Sequence, residues 1–442
     1  MSQGDLQSIL ASLGTQAEAP SAASPPPSNP ASNVLQAPES TVSVTDSFGS
    51  GEANQPVCTP ITRMASEINK ASSGRLIAVN ENYICYAIKG NLIRVIHFVN
   101  ITRNKLAGHP ASLVDIQLSG RSDDVLASLD ASGTLRFRRI FEANGECLYT
   151  TELEVMLPGG VGQKVCWAAP GSNAIAVASG NAVAIMSTER ALLLASAGED
   201  YPVLEPSALG EVGSVCVGHV GTVTDTCFSA DFSQLLSGSS DGSVRVWGST
   251  SKASPTFATP HATVPCQLVL QAHGGASVSS VFFLGDNLLT GTEKNSVLEL
   301  WKPSSKSSGS FEASHRVTLP AGGDAKEGWT NVAVDDDASV VLCAHTSHPS
   351  LVVLHAGAES FDVASKFDLA YPILSLDIPR EDASCATSEQ HVFCIQTKAI
   401  QKYSLESSIW MSHRPSLAPS STASPTTAPK AVAAAVEGAR YV

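Results

Sequence analysis

Residues 218 to 247 read Gly-His-Val-Gly-Thr-Val-Thr-Asp-Thr-Cys-Phe-Ser-Ala-Asp-Phe-Ser-Gln-Leu-Leu-Ser-Gly-Ser-Ser-Asp-Gly-Ser-Val-Arg-Val-Trp. This stretch limits the possible folds more than any other in the chain. An apolar and polar alternation runs through Val223, Asp225 and Cys227, then Leu235 and Leu236, then Val244 and Val246. Half-buried strands need that period of two, and Asp241-Gly242 supplies the two-residue turn of a hairpin. Three short antiparallel strands follow from the pattern. Four polar side chains punctuate them: His219 before the first strand, Ser237 in the second, Asp241 in the turn and Trp247 at the end of the third.

The segment resembles a WD40 repeat. The resemblance implies that His219, Ser237, Asp241 and Trp247 form a hydrogen-bonded tetrad, indole to hydroxyl to imidazole to carboxylate. A buried polar network of this kind is tolerable only if every member is satisfied, so the four belong together as structural residues. One such unit cannot bury both its faces, and related units should recur about every 40 to 45 residues. They do. A second copy runs from His273 through Thr290 and Asn295 to Trp301, with Thr290 matching Ser237 and Asn295 matching Asp241. An earlier copy starts at Gly108-His109 and ends at Arg138, with Arg138 in the tryptophan position and Ser132 in the aspartate position, which reads as a broken tetrad. The interval between Gly108 and Gly218 leaves room for another unit around Val165 to Ser187. Further strand-like runs occur at Leu76 to Phe98, Thr330 to Leu354 and Tyr371 to Leu405. The expected fold is all-β: a seven-bladed WD40-type β-propeller of low helix content, with four blades lacking a readable tetrad.

Residues 1–60 hold no Lys or Arg and are rich in Pro, Ser and Ala, a composition that cannot bury enough apolar surface to fold. They are expected to form a disordered tail, residues 61–410 the propeller, and residues 411–442 a second disordered Ser/Pro/Ala-rich linker or tail. Closing a ring hides the edges of an open array, and the segment around Val57 to Ala65 is the candidate partner for the last blade. Within the first tail, Leu6, Ile9, Leu10 and Leu13 fall at helical spacing behind Asp5 as cap. So short a helix is not stable alone in water. It is expected either to be a chance cluster or to fold against a partner's hydrophobic groove.

The chain carries 27 basic and 41 acidic residues, a net charge of −14. Nonspecific nucleic-acid binding needs clustered Lys and Arg, so the balance argues against direct RNA binding or leaves it weak. A local basic patch, such as one formed by Arg136, Arg138 and Arg139, is compatible with it. No apolar run is long enough to span a bilayer, and Met1 to Leu10 lacks the basic and apolar regions of a signal peptide. A soluble chain that is not secreted is expected, without membrane partners. Cys85, Cys166, Cys227, Cys343 and Cys394 sit in strand-like contexts without CxxC spacing, and read as reduced core residues. The sequon Asn100-Ile101-Thr102 then has no glycosylation to serve.

Several stretches imitate chemistry. Gly238-Ser239-Ser240-Asp241-Gly242 matches the G-x-S-x-G of a hydrolase elbow, but that elbow needs a strand-to-helix turn and a strand follows here. His345 and His348 are close in sequence, with His315 and His355 further off, yet no Cys, Asp or Glu stands at metal-ligand spacing. Asp335-Asp336-Asp337 reads as a polar hairpin turn. Neither a phosphate-binding loop nor a carboxylate pair is present, so no enzyme, metal or cofactor is expected.

Asn82-Tyr83-Ile84-Cys85-Tyr86-Ala87-Ile88-Lys89-Gly90-Asn91-Leu92-Ile93-Arg94-Val95-Ile96 resembles the opening blade of the WD40-bearing enhancers of mRNA decapping, the family that includes plant Varicose. Tyr371-Pro372-Ile373-Leu374-Ser375-Leu376 and Val392 to Gln401 resemble its closing blade, and Gly108 to Asp115 and Leu298-Glu299-Leu300-Trp301 agree between them. The resemblance covers about residues 75 to 405. It implies a non-catalytic scaffold in cytoplasmic processing bodies, whose partners are the decapping enzyme and its activators. Family members also carry a Ser-rich linker and a C-terminal helical domain for self-association, so self-association is expected only if such a domain lies beyond this chain. Two other readings fit a WD40 ring: an adaptor of protein degradation or trafficking, favoured by a basic and aromatic rim that captures phosphorylated segments, and an RNA-binding propeller.

Overall fold

The structure, a computed structural model, describes residues 41–42, 46–48 and 55–406, the last span with internal interruptions of one to nine residues. The leucine stripe at Leu6, Ile9, Leu10 and Leu13 and the C-terminal tail lie outside the described residues. The short β-rich runs form seven separate sheets, each built on an antiparallel meander. The innermost strands of the blades begin at Ile77, Leu113, Lys164, Val223, Val278, Thr330 and Ile373. They touch in that order, and the seventh returns to touch the first. The molecule is a seven-bladed propeller.

Stacking explains the sequence pattern. A middle strand is covered on both faces by the adjacent blades, so it reads as nearly continuous apolar sequence and not as alternation. Val125–Asp130 is buried at every position, and Val340–His345 at all but its last. The core accordingly lies between blades. Leu129, Phe137 and Val155 of the second blade pack with Trp167, Ile175 and Val177 of the third, and Leu236, Val244 and Val246 of the fourth pack with Val281, Phe283 and Trp301 of the fifth.

Closure uses the beginning of the described chain, where three strands precede the first blade: β1 (Thr41–Val42), β2 (Asp46–Phe48) and β3 (Val57–Arg63). Strand β3 pairs antiparallel with Ala399–Glu406 as the outermost strand of the seventh blade, from Val57 opposite Ser404 to Arg63 opposite Ala399. Met64 then donates its backbone N–H to Lys398 O at 2.9 Å. Strand β1 runs parallel to Arg316 and Val317 on the fifth blade, and β2 runs parallel to residues 365–367 on the sixth. Residues 41–42, 46–48 and 57–60, which composition alone assigns to the tail, therefore contribute strands that staple three successive blades. Edge pairing needs backbone groups and a few β-formers such as Thr41-Val42, not an apolar face of the strand's own.

Parallel addition to an outer edge recurs. Pro202–Leu204 pairs with Glu154 and Val155 of the second blade, and Ala262–Thr263 with Ser214 and Val215 of the third. Such cover blunts edges that would otherwise template further strands. The segment carrying Pro202 also holds the helix α1 (Thr188–Leu194), capped where Ser187 Oγ accepts from the Arg190 N–H at 3.3 Å. In the first and seventh blades, where no fifth strand is described, the edge is protected differently: Arg103–Leu106 carries two cations and β3 carries Pro60.

Removing residues 1–63 is expected to destabilise the domain by several kcal/mol, because each lost ladder bond of β3 contributes about 1 kcal/mol. Removing residues 1–50 takes away only the two short parallel strands and should cost much less. Denaturant midpoints of the two truncations test this, and equal midpoints would rule out closure through β3.

Candidate functional site

The punctuating polar residues come together at one end of their blades, where the connections between blades and the second hairpin of each blade meet. In the fourth blade, Trp247 Nε1 donates to Ser237 Oγ at 2.7 Å, Ser237 Oγ lies 2.7 Å from His219 Nε2, and His219 Nδ1 lies 3.3 Å from Asp241 Oδ2 and 3.0 Å from Ser243 Oγ. A carboxylate only accepts, so Nδ1 carries the imidazole proton and Nε2 receives the serine hydroxyl. Asp241 also accepts from the backbone N–H groups of Val220, at 2.8 Å, and of Ser243, at 2.9 Å. Burial pushes the His219 pKa down to about 4, against the opposing pull of Asp241. For Asp241, burial pushes upward, but donors led by Ser243 outweigh it and hold the carboxyl well below its usual range.

The second tetrad differs from its sequence reading. Trp301 Nε1 donates to Thr290 Oγ1 at 2.9 Å, and Thr290 Oγ1 lies 3.0 Å from His273 Nε2. Asn295 is not the fourth member: its Oδ1 accepts from Ser280 Oγ at 2.8 Å and its Nδ2 donates to Thr330 O at 3.1 Å. Glu299 faces the imidazole instead, with Oε2 at 3.2 Å from Nδ1 in a contact too poorly aligned to count as a hydrogen bond, and that oxygen accepts the His273 backbone N–H at 3.1 Å. The cause is the turn. Glu293, Lys294 and Asn295 all have positive φ, at 50°, 58° and 64°, whereas the fourth blade turns on Asp241-Gly242 with only Gly242 left-handed, at 81°. The longer left-handed turn carries Asn295 towards the next blade, and Glu299, opposite Thr290 in the register as Arg245 is opposite Ser237, reaches in.

The second blade has a closed network where the sequence reads as broken. His109 Nδ1 lies 3.0 Å from Asp130 Oδ2 and His109 Nε2 lies 2.8 Å from Ser128 Oγ. Arg138 Nη1 donates to Ser128 Oγ at 2.8 Å, as the indole does elsewhere. Ser132, in the expected aspartate position, donates its hydroxyl to Asp130 Oδ1 at 2.6 Å. Carboxylate and serine have exchanged places two residues apart, and the network is kept. Burial lowers the pKa of Arg138 to about 10. The basic patch does not form: Arg138 is buried, Arg136 pairs with Glu154 and Arg139 with Glu152, each at 2.5 Å.

A further set of residues escapes the sequence reading. Asp115, Asp225 and Ser375 each follow a register shift in the innermost strand of a blade. Each accepts a backbone N–H from the next blade: Val165 at 3.0 Å, Val281 at 3.0 Å and Leu76 at 2.9 Å. The bulge turns a side chain from its own sheet towards the neighbouring one. Arg75 binds both oxygens of Asp115, and Lys164 lies 3.7 Å from Asp225. Burial pushes both carboxyls up. At Asp115, Arg75 and Lys164 outweigh it and lower the pKa, while at Asp225 burial prevails and the pKa is raised. The repeated signal in these three strands is a polar residue two places after an apolar one at the strand's start, as in Leu113-Val114-Asp115 and Val223-Thr224-Asp225.

None of this geometry supplies a nucleophile. Ser240 lies in the hairpin turn between Gln234–Ser239 and Ser243–Gly248, where its Oγ accepts from the Thr222 N–H at 2.9 Å, and His219 contacts Ser237 and not Ser240. His345 and His348 stack with ring centroids 4.9 Å apart, and among the described residues no cluster of three or more metal-ligating side chains occurs. Cys85, Cys166, Cys343 and Cys394 are buried free thiols and Cys227 is partly buried. No described helix is long and apolar enough to cross a membrane. An open groove of about 740 Å³ lies at the closure seam, lined by Pro60, Arg63, Arg103, Tyr371, Lys398 and Gln401 among others.

Residues 210–248 match the family model described as "WD domain, G-beta repeat". The chain is 21% identical over 84% of its length to an Enhancer of mRNA-decapping protein 4 of Danio rerio, and 25% identical over 39% to the protein of that name in Xenopus laevis. These alignments span 30% and 14% of the two relatives. Among solved structures, the WD40 domain of Toxoplasma gondii coronin matches with a TM-score of 0.57 at 12% identity, covering 79% of this chain and 86% of that one. A chain of the Mitotic Checkpoint Complex matches at 0.54 and 11%, covering 78% and 95%. These likenesses establish the fold. The relatives support the decapping-enhancer resemblance read from the opening and closing blades.

His109 and His219 both have lowered pKa values in the folded protein, so between pH 6.5 and about 4 the unfolded chain binds more protons and stability falls as pH falls. His219→Gln should cost roughly 1 to 3 kcal/mol at about pH 7.5 and less at about pH 4.5. Urea midpoints of both proteins at the two pH values measure this. An equal difference at both would mean that His219 is not held neutral.

Proposed function

We propose that this chain is the propeller of a non-catalytic scaffold that promotes mRNA decapping by holding the decapping enzyme and its activators together in cytoplasmic processing bodies. The observation that carries this reading is the alignment with the decapping enhancers over 84% of the chain. The use made of the polar side chains agrees with it. His219, Ser237 and Asp241 are engaged in a tetrad that fixes their hairpin and Ser240 in its turn, which leaves the rims and loops to bind partners. Arg136 and Arg139 are already neutralised, so a continuous phosphate track is missing where the sequence offered one.

The leucine stripe is proposed as a second contact, with Leu6, Ile9, Leu10 and Leu13 entering a groove on a decapping factor. Four aliphatic side chains contribute about 1.5 to 3 kcal/mol each before the cost of ordering, which sets an affinity in the micromolar range. In a pull-down with purified decapping enzyme and activator, the chain should retain at least one of them. Leu6→Ala with Leu10→Ala should weaken recovery of a partner bound through the stripe. Retention of neither factor by the intact chain would remove the scaffold reading, and unchanged recovery by the double variant would remove the stripe alone.

A further inference from the structure

We propose that the groove at the closure seam is a binding site for a phosphorylated segment of a partner polypeptide, with the phosphate held among Arg63, Arg103 and Lys398. The three cations come from three places in the chain. Arg63 ends β3, Arg103 begins the outermost strand of the first blade, and Lys398 lies in the hairpin between Glu389–Gln396 and Ala399–Glu406 of the seventh. All three residues are exposed and line one groove, and no carboxylate is among its lining residues. Among the described residues none of the three makes an ion pair, whereas Arg75, Arg136 and Arg139 each face a carboxylate. In a chain of net charge −14, a cluster of three cations with no ion pair among the described residues is a local reversal of sign.

The groove has the chemistry of a phosphate pocket with a side-chain platform. Lys398 Nζ sits 5.6 Å from the centroid of the Tyr371 ring, and Tyr371 is 40% exposed. The ring steadies the ammonium by cation–π attraction. Guanidinium groups bind phosphate oxygens through paired N–H donors, while lysine adds a point charge. A phosphoserine or phosphothreonine carries about 1.5 to 2 negative charges at pH 7 with three acceptor oxygens. A cavity of about 740 Å³ suits one or two such residues. A nucleic-acid strand needs cations spaced along a track, and the other candidates, Arg136 and Arg139, are already paired. A phosphorylated peptide is therefore the better-matched occupant.

The site does not depend on the decapping assignment, and its test is separate. The full chain would be applied to an array of degenerate five-residue peptides centred on phosphoserine, the same array unphosphorylated, and oligouridine. Phosphorylated peptides should be retained at least about tenfold over unphosphorylated ones at about 0.1 M salt. Arg63→Gln, Arg103→Gln and Lys398→Gln should each reduce that retention several-fold with an unchanged melting temperature, as exposed side chains allow. Should Arg63→Gln lower the melting temperature, the other two variants decide. Equal retention of both peptide arrays, retention unaffected by Arg103→Gln and Lys398→Gln, or tighter retention of oligouridine than of the phosphopeptides would each overturn the proposal.

Discussion

Closing a ring from separate sheets is the constraint on which the rest of this structure depends. Seven meanders connected in series leave two ends, and an open end exposes both a sheet face and a strand edge. Here the seventh blade is completed by β3, which precedes the first blade in sequence. The pairing joins residues more than three hundred positions apart, for example Val57 and Ser404. Such closure is entropically demanding, but it makes the blades mutually dependent. The apolar cluster of the first blade includes Leu374, Phe393 and Ile400 of the seventh, so loosening β3 loosens a core and not only an edge.

Polar groups keep the blades in register once burial has brought them together. Hydrophobic contacts between blades are non-directional and would tolerate sliding of one sheet over another. The bonds from Asp115 to Val165 and from Asp225 to Val281 do not tolerate it, because each joins one carboxylate to one backbone N–H across the interface. The tetrads act within a blade, tying the incoming connection to the second hairpin. Three blades reach the same linkage with different parts. Tryptophan or arginine supplies the donor, serine or threonine the relay, and Asp241, Asp130 or Glu299 the negative charge beside histidine.

That variety explains which parts of the molecule are legible in the sequence. The fourth blade is legible because Asp241-Gly242 marks the hairpin, although the connection is the three-residue loop Ser240-Asp241-Gly242 with only Gly242 left-handed and not the two-residue turn expected. In the second blade, exchange of Asp130 and Ser132 keeps the network while destroying the pattern, so the sequence reads as a loss. In the fifth, Asn295 matches in position but not in direction, because it ends a run of three left-handed residues. The blade count and the closing segment near Val57 follow from length and edge chemistry. The strands at Thr41–Val42 and Asp46–Phe48 do not, since two or three residues pairing by backbone alone leave almost no side-chain signature.

The seam also joins architecture to surface chemistry. Arg63 is placed by β3, Lys398 by the hairpin that β3 pairs beside, and Arg103 by the first blade, which meets the seventh only in the closed ring. An open ring would disperse these charges, so their shared groove is a property of the closed state. Exposed cations without a carboxylate beside them repel one another only weakly, because solvent and salt screen them. At Arg75, Arg136 and Arg139 an acidic side chain faces the guanidinium. Such a partner is absent, among the described residues, at the place where β3 completes the ring. Charge left unbalanced there favours any anion that supplies what the fold does not, and binding such an anion would stabilise the closed ring in return, since a ligand that binds only the folded state shifts the equilibrium towards it.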